Sequence, residues 1–251
     1  MRKRIIIIAA TIFSLLPVLL SAFSGTVSAL NTGFSTEQFP EEKISKFISN
    51  VNISLLTEEP VRTAIKCFDV NDYEMIAIGQ QVFDEKTVCV YSKDGVFQYG
   101  YTFNCDGNIG LEWDGNNINI YFVRGSVIAS VNPNGEILEV LSVQNTIENN
   151  SYVNHFFHSA ERNVGDTEYA VRNNMGILNI FAASYSQLTV TNSDGKETVL
   201  YDVNSEQFVK ILTLFILTVV TAVIVLTVII RQFVKKKHGV NSIENRNSPG
   251  I

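Results

Sequence analysis

The sequence predicts an all-β extracytoplasmic domain of three four-stranded units, with a short N-terminal helix and one C-terminal transmembrane α-helix. Three observations predict this class. Apolar residues make up 46% of the 251, and their surplus sits in one block at each end. Between the blocks, from Val61 onward, hydrophobicity alternates with period two, the strand signature. Asp-Gly and Asn-Gly turns recur through that middle at near-regular spacing. A β-sandwich is the alternative arrangement of the same strands.

The N-terminal block, residues 1–29, is expected to be a signal peptide. Met1-Arg2-Lys3-Arg4 forms a basic start, residues 5–20 an apolar run, and Val27-Ser28-Ala29 an A-x-A-like cleavage site. An uncleaved membrane helix is the other reading, and both leave residue 30 outside. Residues 30–60 hold Pro40-Glu41-Glu42 followed by Ile44, Phe47, Ile48 and Val51. Proline at a helix start, acids in the first turn and this apolar spacing predict a short amphipathic helix.

The domain proper is expected over 61–208. Ile118, Ile120 and Phe122 alternate with Asn117, Asn119 and Tyr121, and Phe97, Tyr99, Tyr101 and Phe103 are assigned to one strand face. About twelve strands are expected. The turns Asp94-Gly95, Asn134-Gly135 and Asp194-Gly195 each join two strands. Upstream lie Asn71-Asp72, Asp114-Gly115 and Asn173-Asn174, at offsets of 22, 20 and 20 residues. The first two units are 40 residues apart and the last two 60, which predicts an insertion at about 142–166.

Residues 211–230 carry no charge and, as a helix, rise about 30 Å, the thickness of a bilayer core. The span is expected over 209–230. Arg231, Lys235, Lys236 and Lys237 follow it against Lys210 before it, which predicts a cytoplasmic C-terminus. Thr213, Thr218, Thr221 and Thr227 are expected to bond their own backbone. The tail, 231–251, is read as a short basic stop-transfer segment with affinity for anionic headgroups. The expected localisation is the cell membrane, single-pass.

Residues 30–208 hold 24 Asp and Glu against 10 Lys and Arg, a net charge of −14. Such a surface excludes binding to nucleic-acid backbones.

Units of about 40 residues with four strands have the size of propeller blades. Over residues 61–203 the chain resembles β-propeller blade repeats of the NHL and WD40-like kind. Trp113-Asp114 is its only Trp-Asp pair, and Ser92-Lys93-Asp94-Gly95 departs from the sialidase Asp box by one residue. The whole chain also looks like small membrane-anchored proteins of Gram-positive bacteria, a resemblance that implies no activity. Propellers take four to eight blades, so three imply an open array or a six-bladed ring completed by a homodimer.

The one cluster of metal-ligand residue types is His155, His158 and Glu161. H-x-x-H with a carboxylate suits Zn²⁺ when the segment is helical and its side chains converge. Solvent-exposed or structural histidines are the favoured reading, and no cofactor is assigned. Cys67, Cys89 and Cys105 read as free buried thiols, since the first two fall two strands apart. Asp106, Glu112 and Asp114 are the carboxylates that a glycoside hydrolase would draw on. G-x-S-x-G, P-loop and G-x-G-x-x-G patterns are missing. Asn52-Ile53-Ser54 and Asn149-Asn150-Ser151 are glycosylation sequons.

The expected function is therefore a membrane-tethered, non-catalytic binding protein for an extracytoplasmic protein or envelope ligand. It would bind through the insertion and exposed blade edges, with the lipid bilayer contacted by residues 211–230. The alternatives are a cell-surface hydrolase acting on envelope or extracellular polymer, and a structural subunit of a membrane complex.

Overall fold

A computed structural model describes residues 30–82 and 85–244, with side chains except at 82, 154–158 and 233–244. The expected signal peptide, 1–29, lies outside the described residues.

Twelve strands form three antiparallel meanders in chain order. The first meander is β3 (Ile65–Val70), β4 (Ile76–Val82), β5 (Glu85–Tyr91) and β6 (Phe97–Asn104). The second is β7 (Ile109–Asp114), β8 (Asn117–Phe122), β9 (Val127–Val131) and β10 (Ile137–Val143). The third is β11 (Glu161–Val164), β12 (Thr167–Arg172), β13 (Gln187–Thr191) and β14 (Glu197–Asp202). The three sheets remain open.

The same turn closes the last hairpin of each meander. Gly95, Gly135 and Gly195 take φ of 76°, 82° and 75°. Their N–H groups donate to the carbonyls of Ser92, Asn132 and Asn192, all at 2.9 Å. Only the glycine is left-handed, so this is a four-residue turn with Gly at the αL position, not a two-residue hairpin. A β-bulge follows in each case, between Val90/Tyr91, Ile137/Glu139 and Leu188/Thr189 in the pairing registers. The first bulge corrects one expectation. Phe97 pairs with Tyr91 and packs on the opposite face from Tyr99, Tyr101 and Phe103, because the extra residue, Gln98, shifts the alternation.

The first sheet is central. One face packs Cys67, Ala77, Val88, Val90, Tyr101 and Phe103 against the second sheet's Leu111, Ile118, Ile120 and Ala129. The other packs Phe68, Ile76, Ile78, Cys89 and Tyr91 against the third sheet's Tyr169, Val171, Leu188 and Tyr201. The spatial order is therefore second, first, third. The insertion is the crossover this order demands, since the chain must leave β10 on one side and start β11 on the other. Helix α2 (Ile147–His158) occupies it. Residues 142–143 and 161–164 of the expected insertion are strand, and a second excursion, 173–186, separates β12 from β13. The first hairpin turn of the third unit is thus at Gly165, not at Asn173-Asn174.

The N-terminal segment caps two sheet edges. β1 (Thr36–Gln38) pairs with β10 and β2 (Ser54–Leu56) with β6. These outer edges, expected to be exposed to partners, are filled by the chain itself, which removes two pairing hazards. Between them runs α1 (Glu41–Val51), whose Phe47 meets Phe39 and Phe122 edge-on. Asn149 of α2 is only 3% exposed. It holds Ser35 through both backbone groups at 2.8 Å, so this sequon presents no free amide; Asn52 is exposed.

α3 (Asn204–Glu244) is long and apolar enough to cross a membrane over Asn204–Gln232. It starts before the expected 209 and continues beyond 230, with no proline in 231–244 to break it. Thr213, Thr218, Thr221 and Thr227 donate to the carbonyls four residues back at 2.8 Å.

A Cβ at Gly100 would sit 2.7 Å from the Val88 carbonyl oxygen, whereas one at Gly115 meets nothing within 4 Å. Gly100→Ala is expected to cost about 1–3 kcal/mol of stability by overpacking. Gly115→Ala should cost about 1 kcal/mol, through its positive φ alone. Urea unfolding of the full chain in detergent, followed by Trp113 fluorescence, measures both.

Candidate functional site

The first strands of the three sheets converge. At one end of β3, a pocket of about 480 Å³ is lined by Asp69, Glu112, Tyr152, Ser159, Glu161, Arg162 and Asn163. β3 supplies Asp69, β7 Glu112, α2 Tyr152 and β11 Arg162, so the pocket exists only once all three units and the crossover helix have assembled.

An ion pair anchors it. Arg162 Nε donates to Asp69 Oδ1 at 2.9 Å, with side chains 18% and 14% exposed. The Trp113 backbone N–H donates to Asp69 Oδ2 at 2.8 Å, and Trp113 Nε1 to the Asp69 carbonyl at 3.3 Å. The Arg162 guanidinium also donates to the Glu161 carbonyl at 2.9 Å and lies 5.2 Å from the Phe68 ring centroid. Burial raises the Asp69 carboxyl above its ordinary value, against the Trp113 N–H and the Arg162 charge. Beside this pair, the Tyr152 hydroxyl donates to Glu112 Oε1 at 2.6 Å. Burial, then the Glu112 carboxylate, pushes the Tyr152 phenol up. The Tyr152 ring meets Phe34 edge-on, and Phe34 lies on Tyr121.

These bonds occupy the side chains of Asp69, Arg162, Glu112 and Tyr152. Asp69 is held by a cation and two N–H donors, and its neighbours Glu112 and Tyr152 are bonded to one another. The arrangement fastens α2 and the third sheet to the first two.

The residues singled out by sequence are distributed as follows. Glu161 lies on β11 at the pocket wall. His155 and His158 fall on the last turn of α2, and their side chains lie outside the description. Among the described residues no group of three or more His, Cys, Asp or Glu is placed to hold a metal ion. Asp106 does not join Glu112 and Asp114. It precedes β7 and pairs with Arg124 at 3.3 Å, whereas Glu112 and Asp114 lie on β7 itself. Cys67 and Cys89 face opposite sides of the first sheet as free thiols. Burial pushes both thiols up to about 12. Asp69 and Arg162 were not singled out, and Tyr152 only as an aromatic of the insertion able to fold under as a plug; its ring does pack on Phe34. The available signal was at Asp69, a charge inside the apolar run Cys67-Phe68-Asp69-Val70; β11, Glu161-Arg162-Asn163-Val164, is polar and carries none for Arg162.

Comparison with known protein families and with curated proteins finds no match to this chain.

Removing one partner of a half-buried pair strands the other charge. Arg162→Leu and Asp69→Asn should each cost about 2–4 kcal/mol in urea unfolding. The double variant should cost less than their sum, which a double-mutant cycle reads directly. The sign of the pH effect follows from the raised Asp69 value. The folded chain holds this proton more tightly than the unfolded chain. The group's contribution is fullest below its unfolded value and falls as pH rises through the folded one. Asp69→Asn should flatten that acid-range slope; an unchanged slope rejects the assignment.

Proposed function

We propose that the chain is a single-pass membrane protein whose β-domain is a non-catalytic binding module held on the extracytoplasmic face. The observation that carries this is the seam between domain and apolar helix. β14 ends at Asp202 and α3 begins at Asn204, with no linker between them. The Asn204 side chain donates to the Asn174 carbonyl at 2.8 Å and accepts from Ser186 Oγ at 2.9 Å. Gln207, only 7% exposed, donates to the Ser184 carbonyl at 2.9 Å. The domain is thus seated on its anchor, which suits a module presenting a surface at fixed height above a bilayer. Basic residues after the apolar span favour a cytoplasmic C-terminus, and the −14 charge of the domain favours a position off an anionic surface.

The meanders are blade-like in strand number and connectivity. The three sheets form an open array, and a second chain would complete a ring in the homodimer reading. The hydrolase reading gains no support from carboxylates tied up as Asp69 and Glu112 are.

Two measurements test this. In intact cells, external protease should remove the β-domain and spare a C-terminal tag; a protected domain overturns the orientation. Light scattering of the full chain in detergent should give twice the chain mass for a two-chain ring; a monomer eliminates that ring and leaves the open array.

A further inference from the structure

A second cleft, of about 640 Å³, opens at the other end of β3, where Lys66, Gln80 and Lys86 meet Asn173, Ser184 and Tyr185. Its chemistry is opposite to that of the rest of the domain. Lys86 is only 6% exposed, and its ammonium donates to the neutral Gln81 Oε1 at 2.7 Å. Among the described residues neither Lys66 nor Lys86 pairs with a carboxylate, in a domain of net charge −14. Burial, and then the charge of Lys86, lowers the Lys66 amine from its ordinary value. The buried Lys86 ammonium costs free energy unless an anion joins it, and the exposed Lys66 lines the same concave space.

A third group points the same way. Gln80 is fully buried, at 0% exposure. Its Oε1 accepts from the Thr63 N–H and hydroxyl, both at 3.1 Å, which fixes the amide. Its Nε2 is left buried with no acceptor, a state native interiors rarely leave unmet. Asn173 Oδ1 is likewise buried without a donor at the same cleft, and suits a hydroxyl on the ligand. We propose that this cleft binds a phosphoryl oxyanion, held by the Lys66 and Lys86 ammoniums and the Gln80 amide N–H. Two point charges and a fixed neutral donor match a group that offers several equivalent oxygens.

The position of the cleft bears on the source of the phosphoryl group. The wall at 182–185 directly follows a 3-10 turn, Gly176–Phe181, whose Ile177, Ile180 and Phe181 are exposed. The Phe181 ring lies 5.7 Å from that of Phe215, inside the apolar span. On the proposed membrane anchoring, this turn sits at the lipid boundary and the cleft opens just beyond it. A lipid headgroup and a soluble phosphate both present the required chemistry.

The test uses the full chain in nanodiscs of digalactosyldiacylglycerol, a neutral lipid without phosphate, with binding of radiolabelled inorganic phosphate as the readout. Saturable binding is expected, weakened at least tenfold by the surface-accessible Lys66→Gln and further by Lys66→Gln with Lys86→Gln. Lys66→Arg should retain binding, which separates charge from packing. Phosphate displaced by 20% phosphatidylglycerol in the disc marks a headgroup site; phosphate retained marks a soluble ligand. No saturable binding, or binding unchanged in Lys66→Gln, overturns the proposal. Incorporation into nanodiscs reports the anchor separately. A chain that stays outside the discs fails the anchoring reading, and its phosphate binding is then read in detergent micelles.

Discussion

The central sheet is apolar on both faces, and the rest of the architecture follows from that. From Lys86 to Tyr91 every side chain of β5 is buried, with Val88 and Val90 on one face and Cys89 and Tyr91 on the other. Each buried valine contributes roughly 1.5–3 kcal/mol only when its face is covered, so a single neighbouring sheet cannot satisfy this strand. Two sheets must flank it. The chain makes both after the first, and the crossover with α2 is the consequence of putting the third unit on the far side.

Burying one sheet so completely forces polar residues to the places where the packing is incomplete. These are the two ends of β3, where three sheets meet without merging. At one end Asp69 is neutralised within the chain by Arg162 and Trp113. At the other, Lys66, Lys86 and Gln80 have no such partners among the described residues. A buried pair whose bonds are all made is a fastener. A buried ammonium on a neutral oxygen, beside a buried amide N–H with no acceptor, is a place with a preferred charge. The contrast between the two ends, in one molecule and on one strand, distinguishes structure from site more sharply than either end alone.

The units were legible because their signals are local. Gly95, Gly135 and Gly195 each occupy a left-handed position that an L side chain adopts at a cost, so the closing hairpins of the three sheets show in the sequence as spaced glycines. The amphipathic stripe of α1 and the uncharged run of α3 are local too. The order of the sheets was not legible, because it depends on which faces of β3 to β6 carry more apolar area. Alternation alone does not report that when both faces are apolar. Phe97 was misplaced by a single bulged residue, Gln98, which no propensity marks. The three-residue strands β1 and β2 are too short to leave a period. Asp69 and Arg162 lie 93 residues apart in sequence and meet only through the crossover, so their pairing is a property of the topology.

The seam at Asn204 gives the arrangement its direction. A domain on a flexible leash samples many heights and orientations, and the location of a cleft on it would carry no meaning for a membrane. Here Asn204 and Gln207 bond the start of the helix to the 173–186 excursion, and Phe181 of that excursion rests on Phe215 of the helix. The same excursion then forms a wall of the lysine cleft through Ser184 and Tyr185. One continuous segment therefore touches the apolar span at Phe181 and the cationic cleft four residues later. Any displacement of the helix relative to the sheets must be absorbed by this segment, because its Ser186 and Gln207 contacts are hydrogen bonds of fixed reach. A ligand that braces the cleft wall would resist that displacement, so occupancy of the proposed cleft and the position of the helix relative to the sheets would be linked quantities.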